Sequence, residues 1–125
     1  MTIKLTILQR AIKEAKASTI VRAKVGAVLF TSTGYIIVSA HNTILYGIKK
    51  KWTIHAEEFV LAKALRLKAL KRFGKLHLLV VRYKPATDVL ANAKPCEKCQ
   101  ELLRKAQIKV FHTDSSGNIM EMKCE

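Results

Sequence analysis

Two short motifs constrain the fold of this chain more tightly than any other feature: His55-Ala56-Glu57, and Pro95-Cys96-Glu97-Lys98-Cys99. Each stands where a run of helix formers begins, after an extended or loop segment. Cysteines at i and i+3 on a helical turn share a face, so both sulfurs can reach one ion. A histidine from a second helix start completes a three-ligand zinc set and leaves a fourth position for water. Any fold of this chain must therefore bring two helix N-termini together. Unpaired N–H groups and partial positive charge at those termini, together with the metal, should favour the thiolate forms of Cys96 and Cys99. Glu57, two residues from His55, can face the water without ligating the metal, which suits it to take a proton and deliver it to a leaving group. Alone, the C-x-x-C spacing would fit a redox pair or half of a structural zinc site as readily as a functional metal. The second motif turns the reading towards catalysis.

The pattern between the motifs predicts the frame that positions them. Apolar residues Ile3, Leu5, Ile7, Leu8, Ile12 and Ala15 fall near helical spacing, giving a first helix over 2–17. Residues 25–30 and 35–40 read as a β-hairpin, with Asn42 directly after it. Residues 43–53 read as a loop, and Lys49, Lys50 and Lys51 within it either face a polyanion or are simply solvated. A helix is predicted over 55–73, with Phe59, Val60, Ala64, Leu67 and Leu70 on its buried face. Residues 76–83 form an almost continuous apolar run, as a central strand covered on both faces requires. A polar connection over 84–94 follows, and Pro95 is read as opening a helix to about residue 107. Strands over 108–113 and 119–122 flank Asp114-Ser115-Ser116-Gly117-Asn118, a link too short for a parallel crossover, so they should be antiparallel. Strands alternating with helices give an α/β architecture of three layers, α-β-α, around a mixed five-stranded sheet. A chain of 125 residues, half of them hydrophobic, is expected to be one domain over 1–125.

Charge and cysteine content narrow the partners. The net charge is +14, and residues 1–85 carry 17 of the 23 basic but 3 of the 9 acidic residues. Such a surface attracts phosphates, whether of a nucleotide or of single-stranded nucleic acid, or else serves solubility. Three cysteines, two of them in one C-x-x-C, suit metal chemistry in a reducing compartment rather than a disulfide framework. Cys124 reads as a free thiol, and His41, His77 and His112 as surface or core residues. No apolar stretch approaches the roughly 20 residues that span a bilayer. The expectation is a soluble, cytoplasmic protein with no membrane partner.

H-x-E followed by P-C-x-x-C is the established signature of zinc nucleobase deaminases. With it the chain resembles the cytidine/deoxycytidylate deaminase superfamily over nearly its whole length. Val25-Gly26-Ala27-Val28 resembles the family's first strand, and Asn42 its ribose-contacting asparagine. The resemblance implies a cytidine deaminase-like fold with Zn2+ as cofactor, His55, Cys96 and Cys99 as ligands and Glu57 as catalytic acid and base. It also implies sugar contact by Asn42, contact with the base by the backbone of Ala56, and a homo-oligomer, either dimer or tetramer. Trp52 either walls the base pocket by stacking or belongs to the core. The implied reaction is hydrolytic deamination of cytosine, as cytidine, deoxycytidine or their nucleotides, to the uracil form and ammonia. Cytosine or adenine deamination within single-stranded DNA, RNA or tRNA is the alternative chemistry, and a structural zinc module binding nucleic acid is the non-enzymatic one. The chain departs from free cytidine deaminases in having histidine for a common cysteine ligand and no third nearby cysteine. It departs from typical deoxycytidylate and tRNA adenosine deaminases in lacking a helix between its last two strands.

Overall fold

The structure, a computed structural model, describes residues 3–20, 22–46 and 51–122, without the side chains of residues 45, 46, 51, 52 and 70. Its elements are α1 (Leu5–Ala17), β1 (Lys24–Thr31), β2 (Ile36–His41), β3 (Thr43–Tyr46), β4 (Lys51–Ile54), α2 (Ala56–Arg66), α3 (Ala69–Arg72), β5 (Leu76–Lys84), β6 (Val89–Ala91), α4 (Glu97–Lys105), β7 (Lys109–Thr113) and β8 (Ile119–Glu121). The main sheet runs β2-β1-β5-β7-β8, and β6 pairs with the end of β5. The β5–β7 pair is parallel and the others are antiparallel, so the sheet is mixed and its last two strands run antiparallel, as the short link between them requires. In that link Asp114 Oδ1 accepts the N–H groups of Ser116 and Asn118, both at 2.9 Å, and Gly117 takes a φ of 83°.

Strand alternation divides the core into the two faces of this sheet. Ala27, Leu29, Leu78, Val80 and Val110 pack with Val60 and Ala64 of α2 and Leu103 of α4. Val28, Phe30, Leu79, Val81 and Phe111 pack instead against Ile7, Ala11 and Ala15 of α1. The period of two along β1 and β5 thus builds a three-layer sandwich from strands whose central residues are apolar on both faces. Helix α1 lies so close to β1 that a Cβ at Gly26 would stand 2.2 Å from the carbonyl oxygen of Ala11.

Several sequence expectations are corrected. Residues 43–53, read as a loop, contain the antiparallel strands β3 and β4, with Thr43 opposite Ile54 and Leu45 opposite Trp52. Their β-branched and aromatic residues favour strand, a preference that the lysine run masked. The single helix expected over 55–73 is broken between α2 and α3 at Lys68, which adopts a left-handed φ of 56°. The polar connection over 84–94 holds the short β6, which adds a sixth strand to the expected five. Pro95 stands before the helix: Cys96 is the N-cap of α4, and the Pro95 carbonyl accepts the Gln100 side-chain amide at 2.7 Å.

Candidate metal and catalytic site

Helices α2 and α4 begin side by side, and the site lies where their N-termini meet. His55 is the N-cap of α2 with extended backbone (φ −72°, ψ 152°), and Cys96 is the N-cap of α4 in nearly the same conformation (φ −68°, ψ 165°). Cys99 follows in the first turn of α4, so its sulfur and that of Cys96 point the same way. His55 Nδ1 lies 3.5 Å from Cys99 Sγ and 3.8 Å from Cys96 Sγ. All three donor atoms lie within 4.8 Å of one another. Zinc bonds of ordinary length at tetrahedral angles place a nitrogen and a sulfur ligand roughly 3.6 Å apart, so the donor set fits that ion in spacing and in chemistry.

Burial decides how these groups titrate. Cys99 is 1% exposed. Burial, then the neighbouring carboxylate of Glu57, pushes its thiol far above the ordinary range, so it yields its proton to a cation and not to water. Glu57, 6% exposed, sits two residues into α2 beside Cys99. Burial raises its carboxyl above the usual range, against the opposing influence of a backbone N–H, His55 and Cys99. Glu58 also stays beside the donor set, its Oε1 3.8 Å from His55 Nδ1. Its Oε1 accepts the His55 backbone N–H at 3.4 Å, and its Oε2 lies 3.5 Å from Lys98 Nζ, so it fixes the helix start that carries His55.

A cleft of about 250 Å³ opens onto these groups, lined by His55, Ala56, Glu57 and Cys96 from the helix starts and by Asn42 from the end of β2. The structure thus brings Glu57, the three ligand candidates, Asn42 and Ala56 to one place. Asn42 is tied into the frame: its Oδ1 accepts the Val25 N–H at 3.0 Å and the Ser18 hydroxyl at 2.6 Å, and its Nδ2 donates to the Ala23 carbonyl. The side chains of Trp52 and Lys51 lie outside the described residues, as do Lys49, Lys50 and Cys124 altogether. His41 and His77 are held elsewhere, His41 by Glu14 at 2.9 Å and His77 between Phe30 and Phe111. Sequence reasoning missed Arg82, Asn92 and Lys94, which also line the cleft. The signals were an arginine ending an apolar strand and a lysine directly before Pro95.

Two helix N-termini presenting a histidine and a C-x-x-C pair beside a buried carboxyl define a zinc-dependent deaminase type of site. Residues 1–113 match the family model described as cytidine and deoxycytidylate deaminase zinc-binding region, and the chain belongs to that family. Zinc is accordingly its metal, with His55, Cys96 and Cys99 positioned to bind it. Among solved structures, a cytidine deaminase from Burkholderia pseudomallei is similar at 19% identity over 98% of this chain and 93% of its own, with a TM-score of 0.67. A dCMP deaminase from the cyanophage S-TIM5 is similar at 19% identity over 89% and 82%, with a TM-score of 0.65. A cytidine deaminase from Mycobacterium leprae is similar at 18% identity over 93% and 90%, with a TM-score of 0.60. These likenesses establish the shared fold. No curated protein sequence matches the chain significantly.

Proposed function

We propose that the chain hydrolyses the exocyclic amine of a cytosine base carried on a nucleoside or nucleotide, giving the uracil form and ammonia. The observation that carries this reading is the buried Glu57 carboxyl, raised by its surroundings, in the same cleft as a three-donor metal set. Zinc, when bound, supplies Lewis-acid activation of the attacking water. Glu57 would take one proton from the attacking water and pass it to the ring nitrogen, then take the second from the hydroxyl so added and pass it to the amine, which leaves as ammonia. A carboxyl whose pKa is raised towards neutrality suits both transfers. Ala56, at the first position of α2, offers a backbone N–H that has no partner within the helix, and it serves the base. Asn42 keeps one side-chain N–H beyond its bond to Ala23 and directs it to the sugar.

A structural zinc module needs four protein ligands and no acid–base group, whereas the donor set here has three members among the described residues. We read residues 1–125 as one such catalytic domain. It is further read as a dimer or tetramer, because β2 pairs only with β1 among the described residues and leaves a sheet edge to cover. No helix among the described residues is long and apolar enough to cross a membrane. Ammonia release from cytosine, cytidine, deoxycytidine, CMP, dCMP, single-stranded DNA and tRNA tests the reading. Turnover of a cytosine compound supports it; turnover of adenine in tRNA, with none of cytosine, overturns it.

A further inference from the structure

The catalytic cleft contains two cations that the deamination chemistry does not use. Arg82 lies on β5, opposite Val25 of β1 and Ala91 of β6, and continues the row Leu78, Val80, Arg82 along the sheet face that packs under α2. That row is apolar until it reaches the cleft, where the arginine stands. Lys94 comes from the segment between β6 and Cys96, with its backbone N–H bonded to Asn92 Oδ1 at 3.0 Å. Neither side chain forms an ion pair among the described residues. The sole carboxylate lining the cleft among those residues is Glu57. Arg82 donates from Nη2 to the Arg22 carbonyl at 3.3 Å, while its Nε is buried without a partner. Buried donors are nearly always paired, so the buried Nε of this half-buried arginine calls for an acceptor. Both facts are accounted for if an anion enters with the substrate.

We propose that Arg82, assisted by Lys94, binds the phosphate of a cytosine nucleoside monophosphate, which makes the nucleotide the preferred substrate over the free nucleoside. This rests on the deaminase reading above. The guanidinium fork matches phosphate oxygens, and two cations balance the charge of a terminal phosphate, near −2 at neutral pH. The cleft, at about 250 Å³, is the size of a small-ligand pocket and not of a polymer channel. Arg66, the last residue of α2, and Lys71 and Arg72 of α3 lie at the far end of a helix about 15 Å long that starts at the metal site.

The test measures kcat/KM of the zinc-loaded full chain for CMP, dCMP, cytidine, deoxycytidine and a cytosine-containing oligonucleotide. Binding of UMP and uridine, which needs no turnover, is measured in parallel. The expected result is a nucleotide-over-nucleoside preference that falls by roughly 10- to 100-fold in Arg82→Gln, the effect of one charge-assisted contact. Arg82→Lys should restore part of it, and Lys94→Gln should reduce it in the same direction should Arg82→Gln fail to fold. Equal efficiency with and without phosphate, a loss in Arg82→Gln that is the same for both, or preference for the oligonucleotide overturns the proposal. UMP bound more tightly than uridine, with no ammonia from any cytosine compound, would leave the phosphate site standing and sink the deaminase reading instead.

Discussion

At the residue scale, the two motifs made the metal donors legible because ligation depends on side-chain type and on spacing along one helical turn, both of which the sequence displays. Replacing Cys96 and Cys99 together by alanine should therefore abolish zinc retention in elemental analysis of the purified protein, whereas the unaltered chain holds about one ion. Full retention would refute the assignment. Arg82 and Lys94 were not legible in the same way, because their place depends on strand register and on which face of β5 the cleft occupies. Asn42 was legible as a residue after a strand but not as a clamp. Its side chain joins Ser18, Ala23 and Val25, so Asn42→Ala should leave the Val25 N–H and the Ala23 carbonyl without partners. The expected destabilisation is about 1–3 kcal/mol by denaturant titration, in addition to any loss of activity. Unchanged stability would mean that these bonds contribute nothing and that the asparagine serves substrate alone.

At the element scale, hydrophobic periodicity exposed α1, β1, β2, α2, β5, α4, β7 and β8, while β3, β4 and β6 escaped it. Short strands carry too few alternations to register, and in β3–β4 the lysines of the connecting segment outweighed the β-branched residues on either side. The left-handed break at Lys68 escaped for a related reason, since helix formers fill both sides of it. The close approach of α1 to β1 gives a direct test of the three-layer packing. Gly26→Ala would drive a Cβ into the α1 backbone, so it should lower stability by about 1–3 kcal/mol, seen as a lower Tm. A neutral result would mean that α1 does not sit where it is placed. The same helix is tied to β2 by Glu14, which accepts hydrogen bonds from Ser39 and from His41. Burial would raise the Glu14 carboxyl, but Ser39, His41 and the charge of Lys63 together outweigh it and hold the pKa below the ordinary value. A carboxyl depressed in the folded state stabilises the fold above its unfolded pKa, and that contribution is lost as pH falls through the folded value. The unfolding midpoint should thus drop on acidification below the ordinary carboxylate range, less steeply in Glu14→Gln than in the unaltered protein. Identical slopes would contradict the arrangement.

At the scale of the whole molecule, the sheet exists to hold two helix N-termini at ligand distance. Strand β5 lies between β1 and β7, so α2 and α4 pack on one face and deliver His55 and Cys96 from separate parts of the chain. Association of these sandwiches into a dimer or tetramer should be visible by light scattering, and a monodisperse monomer at all working concentrations would contradict it. The central claim is that this frame serves hydrolytic deamination, with zinc held by His55, Cys96 and Cys99 and protons moved by Glu57. Its most direct test is ammonia release from CMP and cytidine by wild type and Glu57→Ala, with zinc measured in the same samples. The account predicts ammonia and the uracil product in equal amounts from wild type, and a rate lower by ~100-fold to 10,000-fold in a variant that still holds about one zinc per chain. Equal turnover per bound zinc in the two proteins, or a fully zinc-loaded wild type that releases no ammonia from any cytosine compound, would contradict it.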